Sequence, residues 1–153
     1  MSALDAKVPP PLVALIVGTG MWLAARTFGP TSVSFPVRLG LAIALFLIGL
    51  GISFAGVRVI RRAQTTLNPT RPETASTLVT AGIYQYTRNP MYLGMATWLL
   101  AWAAWLAAPV ALLGVPLFML YMNRFQITPE ERALTSLFGG EFAAFKERVR
   151  RWL

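Results

Sequence analysis

Neither cysteine nor histidine occurs among the 153 residues. Without cysteine there is no disulfide and no thiol nucleophile. Without histidine the commonest general base and the commonest transition-metal ligand are missing together, and no metal site is expected. Charge is scarce too. Asp, Glu, Lys and Arg make up 13% of the chain, about half the share of an ordinary soluble domain.

The scarcity is uneven. Three stretches carry no charged residue: Val8 to Ala25, Leu39 to Val57, and Asn89 to Asn123. A membrane crossing needs roughly 20 apolar residues. The first two stretches match one crossing each, and the third, too long for one, matches two short ones. The fold class expected is therefore all-α: a single-domain polytopic membrane protein with about four transmembrane helices, at about 11–28, 36–60, 90–107 and 109–123. Ala107-Ala108-Pro109 sits where the last two would turn back as a tight hairpin. Each arm of it is roughly 25 Å long at about 1.5 Å per residue. A single re-entrant element is the other reading, and Pro116 is a candidate kink. The N-terminal segment MSALDAKVPPP lacks the small-residue cleavage site of a signal peptide, so the first apolar run is read as a retained span.

A net charge of +8 on a polar domain would suit nucleic acid. Here the basic residues flank apolar runs, where they act as topology signals and contacts to anionic lipid, so the bilayer is the expected partner and nucleic acid is not. Arg58, Arg61, Arg62, Arg71 and Arg88 border the loop between spans two and three. Arg124, Arg132, Lys146, Arg148, Arg150 and Arg151 follow span four, whereas only Arg26 and Arg38 border the first connection. The positive-inside rule then places both termini and that loop in the cytoplasm, in an inner membrane of bacterial or archaeal type. Within the loop, Asn68-Pro69 and Arg71-Pro72 argue against a continuous helix.

The C-terminal segment, 128–153, differs in kind. Thr128-Pro129-Glu130-Glu131 reads as a helix start, with Thr128 as N-cap, Pro129 at the first position and Glu131 completing a capping box. Ala133, Leu134, Leu137 and Phe138 form one apolar stripe, interrupted at Gly139-Gly140. Phe142, Phe145, Val149 and Trp152 form a second, surrounded by Lys146, Arg148, Arg150 and Arg151. An amphipathic basic helix on the cytoplasmic surface is the expectation.

Two polar clusters fall on that same side. Thr80, Gly82, Tyr84, Tyr86, Arg88, Asn89 and Tyr92 lead into span three; Asn123, Arg124, Gln126, Glu130 and Glu131 leave span four. A hairpin returns both to one height, where they can face each other. Structural roles account for several of them singly. Asn89 and Pro90 suit a helix cap and first position, Arg88 can snorkel, and the tyrosines can anchor at the interface. Glu130 is harder to explain in that way, because a carboxylate at the base of a membrane helix favours a polar or cationic partner, with Arg124 at hand.

At these residues the chain resembles the isoprenylcysteine carboxyl methyltransferase and phospholipid methyltransferase group of integral membrane enzymes. The resemblance rests on Leu78-Val79-Thr80-Ala81-Gly82-Ile83-Tyr84, Arg88-Asn89-Pro90-Met91-Tyr92, the pair Glu130-Glu131, Phe138-Gly139, Phe142 and Phe145. It covers roughly Leu78 to Val149. It implies methyl transfer from S-adenosylmethionine, held near the membrane surface, to a lipophilic or membrane-delivered acceptor. It further implies a cofactor pocket of Thr80, Gly82, Tyr84, Arg88, Asn89, Pro90, Tyr92 and Glu131, with Glu130, Gln126 and Arg124 nearest the reacting centre. Such a displacement needs alignment more than acid–base groups, so it tolerates the missing histidine and cysteine. In this chain the family's histidine is Asn89, and an arginine of the isoprenylcysteine enzymes four residues before the first glutamate is Gln126. Arg124 would point about 200° away from that position on a helix. The acceptor stays open between an isoprenylcysteine-type carboxylate, a phospholipid amine, a hydroxyl and a thiol. A non-enzymatic accessory or assembly protein is the competing class, with the same clusters serving as caps and anchors.

Overall fold

Proline sits in the first turn of three helices, where its missing N–H removes a donor that has no intrahelical partner anyway. The helices are α1 (Pro10–Phe28), α2 (Phe35–Arg62) and α3 (Pro90–Leu106). These come from a computed structural model that describes residues 7–64 and 76–153. The expected helix breaks at Asn68-Pro69 and Arg71-Pro72 lie outside the described residues, as does the start of the N-terminal segment. A 3-10 turn, Gly82–Gln85, precedes α3.

The turn expected at Ala107-Ala108-Pro109 is present. Ala107 closes α3 in the left-handed conformation with its N–H on the Ala103 carbonyl, and Ala108 is extended. A 3-10 turn, Pro109–Leu113, leads into α4 (Gly114–Tyr121). The α1–α2 connection is fastened to this turn: the N–H and the hydroxyl of Thr31 both donate to the Ala107 carbonyl, at 2.7 Å each.

From α4 the backbone stays helical through a π-helical segment, Met122–Ile127, into α5 (Thr128–Arg148). This corrects the reading of Thr128 and Glu131 as a capping box. Thr128 has helical dihedrals, and its hydroxyl donates to the Asn123 carbonyl five residues back, at 2.7 Å. Pro129 explains why. Its ring would clash with the carbonyl four residues before it, and a widened turn relieves that clash without ending the helix. The break at Gly139 is observed, with φ 48° and ψ −118° inside α5.

Among the described residues, α1, α2 and the continuous stretch Pro109–Arg148 are long and apolar enough to cross a membrane. That makes three candidate spans where four were expected: the segment expected as the third crossing, 90–107, is a 17-residue helix. At about 25 Å it falls short of a hydrocarbon core of about 30 Å. It packs mainly along α2, with α1 and α4 also against it. The α2–α3 contact is close because small residues line it. A Cβ on Gly94 would lie 2.0 Å from Ser53 Oγ and 2.8 Å from the Gly49 carbonyl oxygen. Close backbone approach of this kind is how helices gain packing contact in lipid, where no hydrophobic drive joins them.

Two cores result. The first joins Val13 and Met21 of α1, Tyr92, Ala96 and Leu99 of α3, Phe118 of α4 and Met122. The second joins Ile60, Tyr84, Phe142, Phe145 and Val149. The second apolar stripe of α5 is thus turned toward the chain itself. Trp152, assigned to that stripe from its spacing, is not helical: the helix ends at Arg148 and Val149 is extended.

Candidate active site

The entry to α3 and the exit from α4 converge, as the hairpin requires. Tyr92, in the first turn of α3, donates its hydroxyl to Glu130 Oε1. Gln126 Nε2 donates to the same oxygen at 2.7 Å. Gln126 is only 2% exposed, so the π segment turns this amide inward while Arg124, two residues earlier, faces out. Arg124 is exposed, with its guanidinium 5.3 Å from the Phe125 ring centroid. Tyr84 is buried on the 3-10 turn. Burial pushes its phenol above the ordinary tyrosine value, and the Glu130 charge pushes it further the same way. A part-buried carboxylate with a phenol and an amide on one oxygen forms the centre of the site.

Glu131 belongs to a second group. Arg88 donates to Glu131 Oε1, and Arg151 grips both oxygens, at 3.0 and 2.6 Å. Hydrogen bonding to Glu131 holds the Arg151 guanidinium above its ordinary value, against a smaller opposing effect of burial. Arg88 also donates to the carbonyls of Lys146 and Val149, and its backbone N–H donates to the Arg150 carbonyl. The Arg151 carbonyl accepts from the Thr87 hydroxyl at 3.1 Å and from the Asn89 amide at 2.9 Å. Trp152 Nε1 donates to Asn123 Oδ1 at 3.1 Å. The chain after Arg148 therefore exchanges helical hydrogen bonds for bonds to the Thr87-Arg88-Asn89 segment, which is why Trp152 leaves the helix.

Each residue singled out from sequence can now be placed. Tyr92, Glu130, Gln126 and Tyr84 come together. Arg88, Asn89 and Glu131 are drawn into the clasp on the C-terminal tail. Asn89 stands at the cap position with Pro90 first in the helix, but its side chain makes no cap bond. Gly82 has φ 61°, and a Cβ there would meet Val59 Cγ2 at 2.8 Å, so glycine fits on both counts. Thr80 lies half-buried just before that turn. Sequence reasoning missed Thr87, Arg151 and Trp152 as parts of the arrangement. Their one signal was that the three-and-four spacing of Phe142, Phe145 and Val149 carries the tail back toward the chain. No group of metal-ligating side chains occurs among the described residues.

The chain is similar to known proteins over much of its length. A protein of Haemophilus influenzae described as uncharacterized is 51% identical over 63 residues, which are 41% of this chain and the whole of that protein. The family model described as phospholipid methyltransferase matches residues 37–141, from the start of α2 past both glutamates. With helices able to cross a membrane and a polar site where the hairpin ends converge, the chain belongs to the phospholipid methyltransferase family.

Proposed function

We propose that the protein is an integral membrane methyltransferase that uses S-adenosylmethionine and transfers the methyl group to an amine on a membrane lipid, with its site on the cytoplasmic side. The observation that carries this reading is the Tyr92–Glu130–Gln126 cluster. An acceptor carboxylate would need a cation at the centre. Here the positions nearest the carboxylate are a phenol and a neutral amide, while the Arg88 guanidinium is already held by Glu131. A carboxylate in that setting attracts a protonated amine.

The residues present fit the cofactor. Arg88 Nε is buried and has no partner, so it is a donor suited to a carboxylate oxygen. Glu130 and the tyrosine faces of Tyr84 and Tyr92 suit cationic and aromatic parts. When bound, S-adenosylmethionine supplies the methyl group on a positively charged sulfur. Glu130 does the rest of the work on the acceptor. Both of the hydrogen bonds from Tyr92 and Gln126 fall on Oε1, so Oε2 is the oxygen with capacity to take the ammonium proton and free the nitrogen lone pair. Tyr92 and Gln126 fix the carboxylate so that the nitrogen meets the methyl carbon in line. Lysine and arginine counts on either side of the spans support a cytoplasmic site.

The test is transfer from methyl-labelled cofactor into a lipid extract by the purified protein. Label in the aminolipid fraction, lost in Glu130→Gln, is expected. Thermal stabilisation by S-adenosylhomocysteine should accompany it, because a ligand of the native state raises its melting temperature. Label recovered as a base-labile methyl ester would replace the amine by a carboxylate. Neither label nor stabilisation would favour an accessory protein instead.

A further inference from the structure

A groove of about 540 Å³ runs between α1 and α3. Its floor is one face of α3: Met95, Leu99 and Trp102 follow Tyr92 at intervals of three, seven and ten residues. Intervals of that kind keep side chains on one side of a helix. The stripe that holds Glu130 at its first residue therefore continues as the groove floor. From Tyr92 to Trp102 is about 15 Å along the helix, half of a hydrocarbon core of about 30 Å.

The chemistry of the lining limits what can lie there. Thr19 donates its hydroxyl to the Leu15 carbonyl at 2.9 Å, Trp98 Nε1 to the Phe46 carbonyl at 3.2 Å, and Trp102 Nε1 to the Gly18 carbonyl at 3.0 Å. These polar atoms are engaged with backbone, which leaves methyl, methylene and ring surface facing the groove. A sugar, phosphate or peptide backbone would lose its water there without gaining a partner. A hydrocarbon chain loses nothing. The groove is also open on one side, where Leu15 and Trp22 are exposed, between helices whose charge-free stretches belong in lipid. A chain can thus enter sideways from the bilayer.

We propose that the α1–α3 groove holds one hydrocarbon chain of the methyl acceptor, one leaflet deep, so that its headgroup amine stands at Glu130. This rests on the methyl-transfer reading and adds to it a site that α1 helps to build, although α1 precedes the matched segment 37–141. Gly18 provides the handle. A Cβ there would meet Leu99 Cδ2 at 3.7 Å and Trp102 Cδ1 at 3.9 Å, which is ordinary contact. Alanine fits at this position, whereas a leucine extends into the groove.

The test uses the full chain in nanodiscs with an aminophospholipid that carries a diazirine midway along one acyl chain. After illumination, adducts are expected on peptides that contain residues 14–22 and 95–102. Gly18→Leu should abolish them and Gly18→Ala should not, with the thermal shift by S-adenosylhomocysteine retained in both. Adducts spread over exposed Leu47, Phe54, Leu117 and Leu120, and unchanged in Gly18→Leu, would mean annular lipid only and overturn the site. A dimer by native mass spectrometry of the nanodiscs, with residues 14–22 and 95–102 left unlabelled, would assign the groove to a second copy and overturn it too. Groove adducts without any cofactor shift would keep the lipid-chain site and overturn the methyl-transfer reading beneath it.

Discussion

Tyr92 and Glu130 stand 38 residues apart in sequence and share a hydrogen bond at the base of the helical hairpin. One is in the first turn of α3, the other just past the π segment, so the bond reports that the hairpin has closed in register. Tyr92→Phe removes the donor and keeps the ring in the first core, so the fold should survive. Glu130 then loses one of two bonds that orient it. A hydrogen bond to a charged group contributes about 1.5–3 kcal/mol, so turnover should fall roughly 10- to 100-fold. Steady-state methyl transfer checks this, and unchanged turnover would remove Tyr92 from the site.

Glu131 and Arg151 should differ in what their loss does. Glu131 pairs with both Arg88 and Arg151, and the Arg88 side chain is 11% exposed. Glu131→Gln leaves the Arg88 charge buried without its counter-charge, a change that costs roughly 3 kcal/mol or more. Arg151 is more open to water, so Arg151→Ala should cost only about 1 kcal/mol. Melting temperatures in detergent would order the two variants. Amide exchange should quicken at 149–153 in both, because the tail loses its tether. Equal melting temperatures would contradict the clasp.

How much of this was legible beforehand follows from the range of each interaction. The apolar helices, the turn at Ala107-Ala108-Pro109 and the break at Gly139 are written in local composition and spacing. The pairing of Tyr92 with the Glu130 region was inferable once a hairpin was assumed. Thr128 misled because Thr-Pro-Glu-Glu satisfies a helix start locally, and only the continuous helix from α4 shows that no start is needed. Arg151 and Trp152 were hidden for the opposite reason. Nothing near them in sequence distinguishes a basic surface residue from one that reaches Glu131, 20 residues back.

Ser53 and Gly94 permit a test of the helix contact. Ser53 Oγ is buried without a hydrogen-bond partner, so Ser53→Ala should leave the melting temperature unchanged or raise it. Gly94→Ala places a methyl 2.0 Å from that oxygen and 2.8 Å from the Gly49 carbonyl. The helices must separate, at about 1–3 kcal/mol. Adding Ser53→Gly to Gly94→Ala should recover part of the loss but not all, since the Gly49 carbonyl remains. Full recovery would show that α2 and α3 approach less closely than their glycines indicate.

Gln126 bears on the acceptor. It is buried, neutral and four residues before Glu130, to which it donates. In Gln126→Arg a guanidinium would face the same carboxylate and pair with it at helical spacing. That pairing competes with an acceptor ammonium for Glu130 and leaves a cation where a carboxylate could bind. Methylation of aminolipids should drop by at least about tenfold, because an amine that displaces the arginine from Glu130 leaves a part-buried guanidinium without its partner, which costs more than the about 1.4 kcal/mol that a tenfold change requires. The thermal shift by S-adenosylhomocysteine should persist, which separates a changed acceptor site from a misfolded one. Gln126→Leu completes the comparison: it removes the donor without adding charge, so it should slow transfer less than arginine does. Aminolipid methylation undiminished in Gln126→Arg would show that Glu130 does not receive the amine.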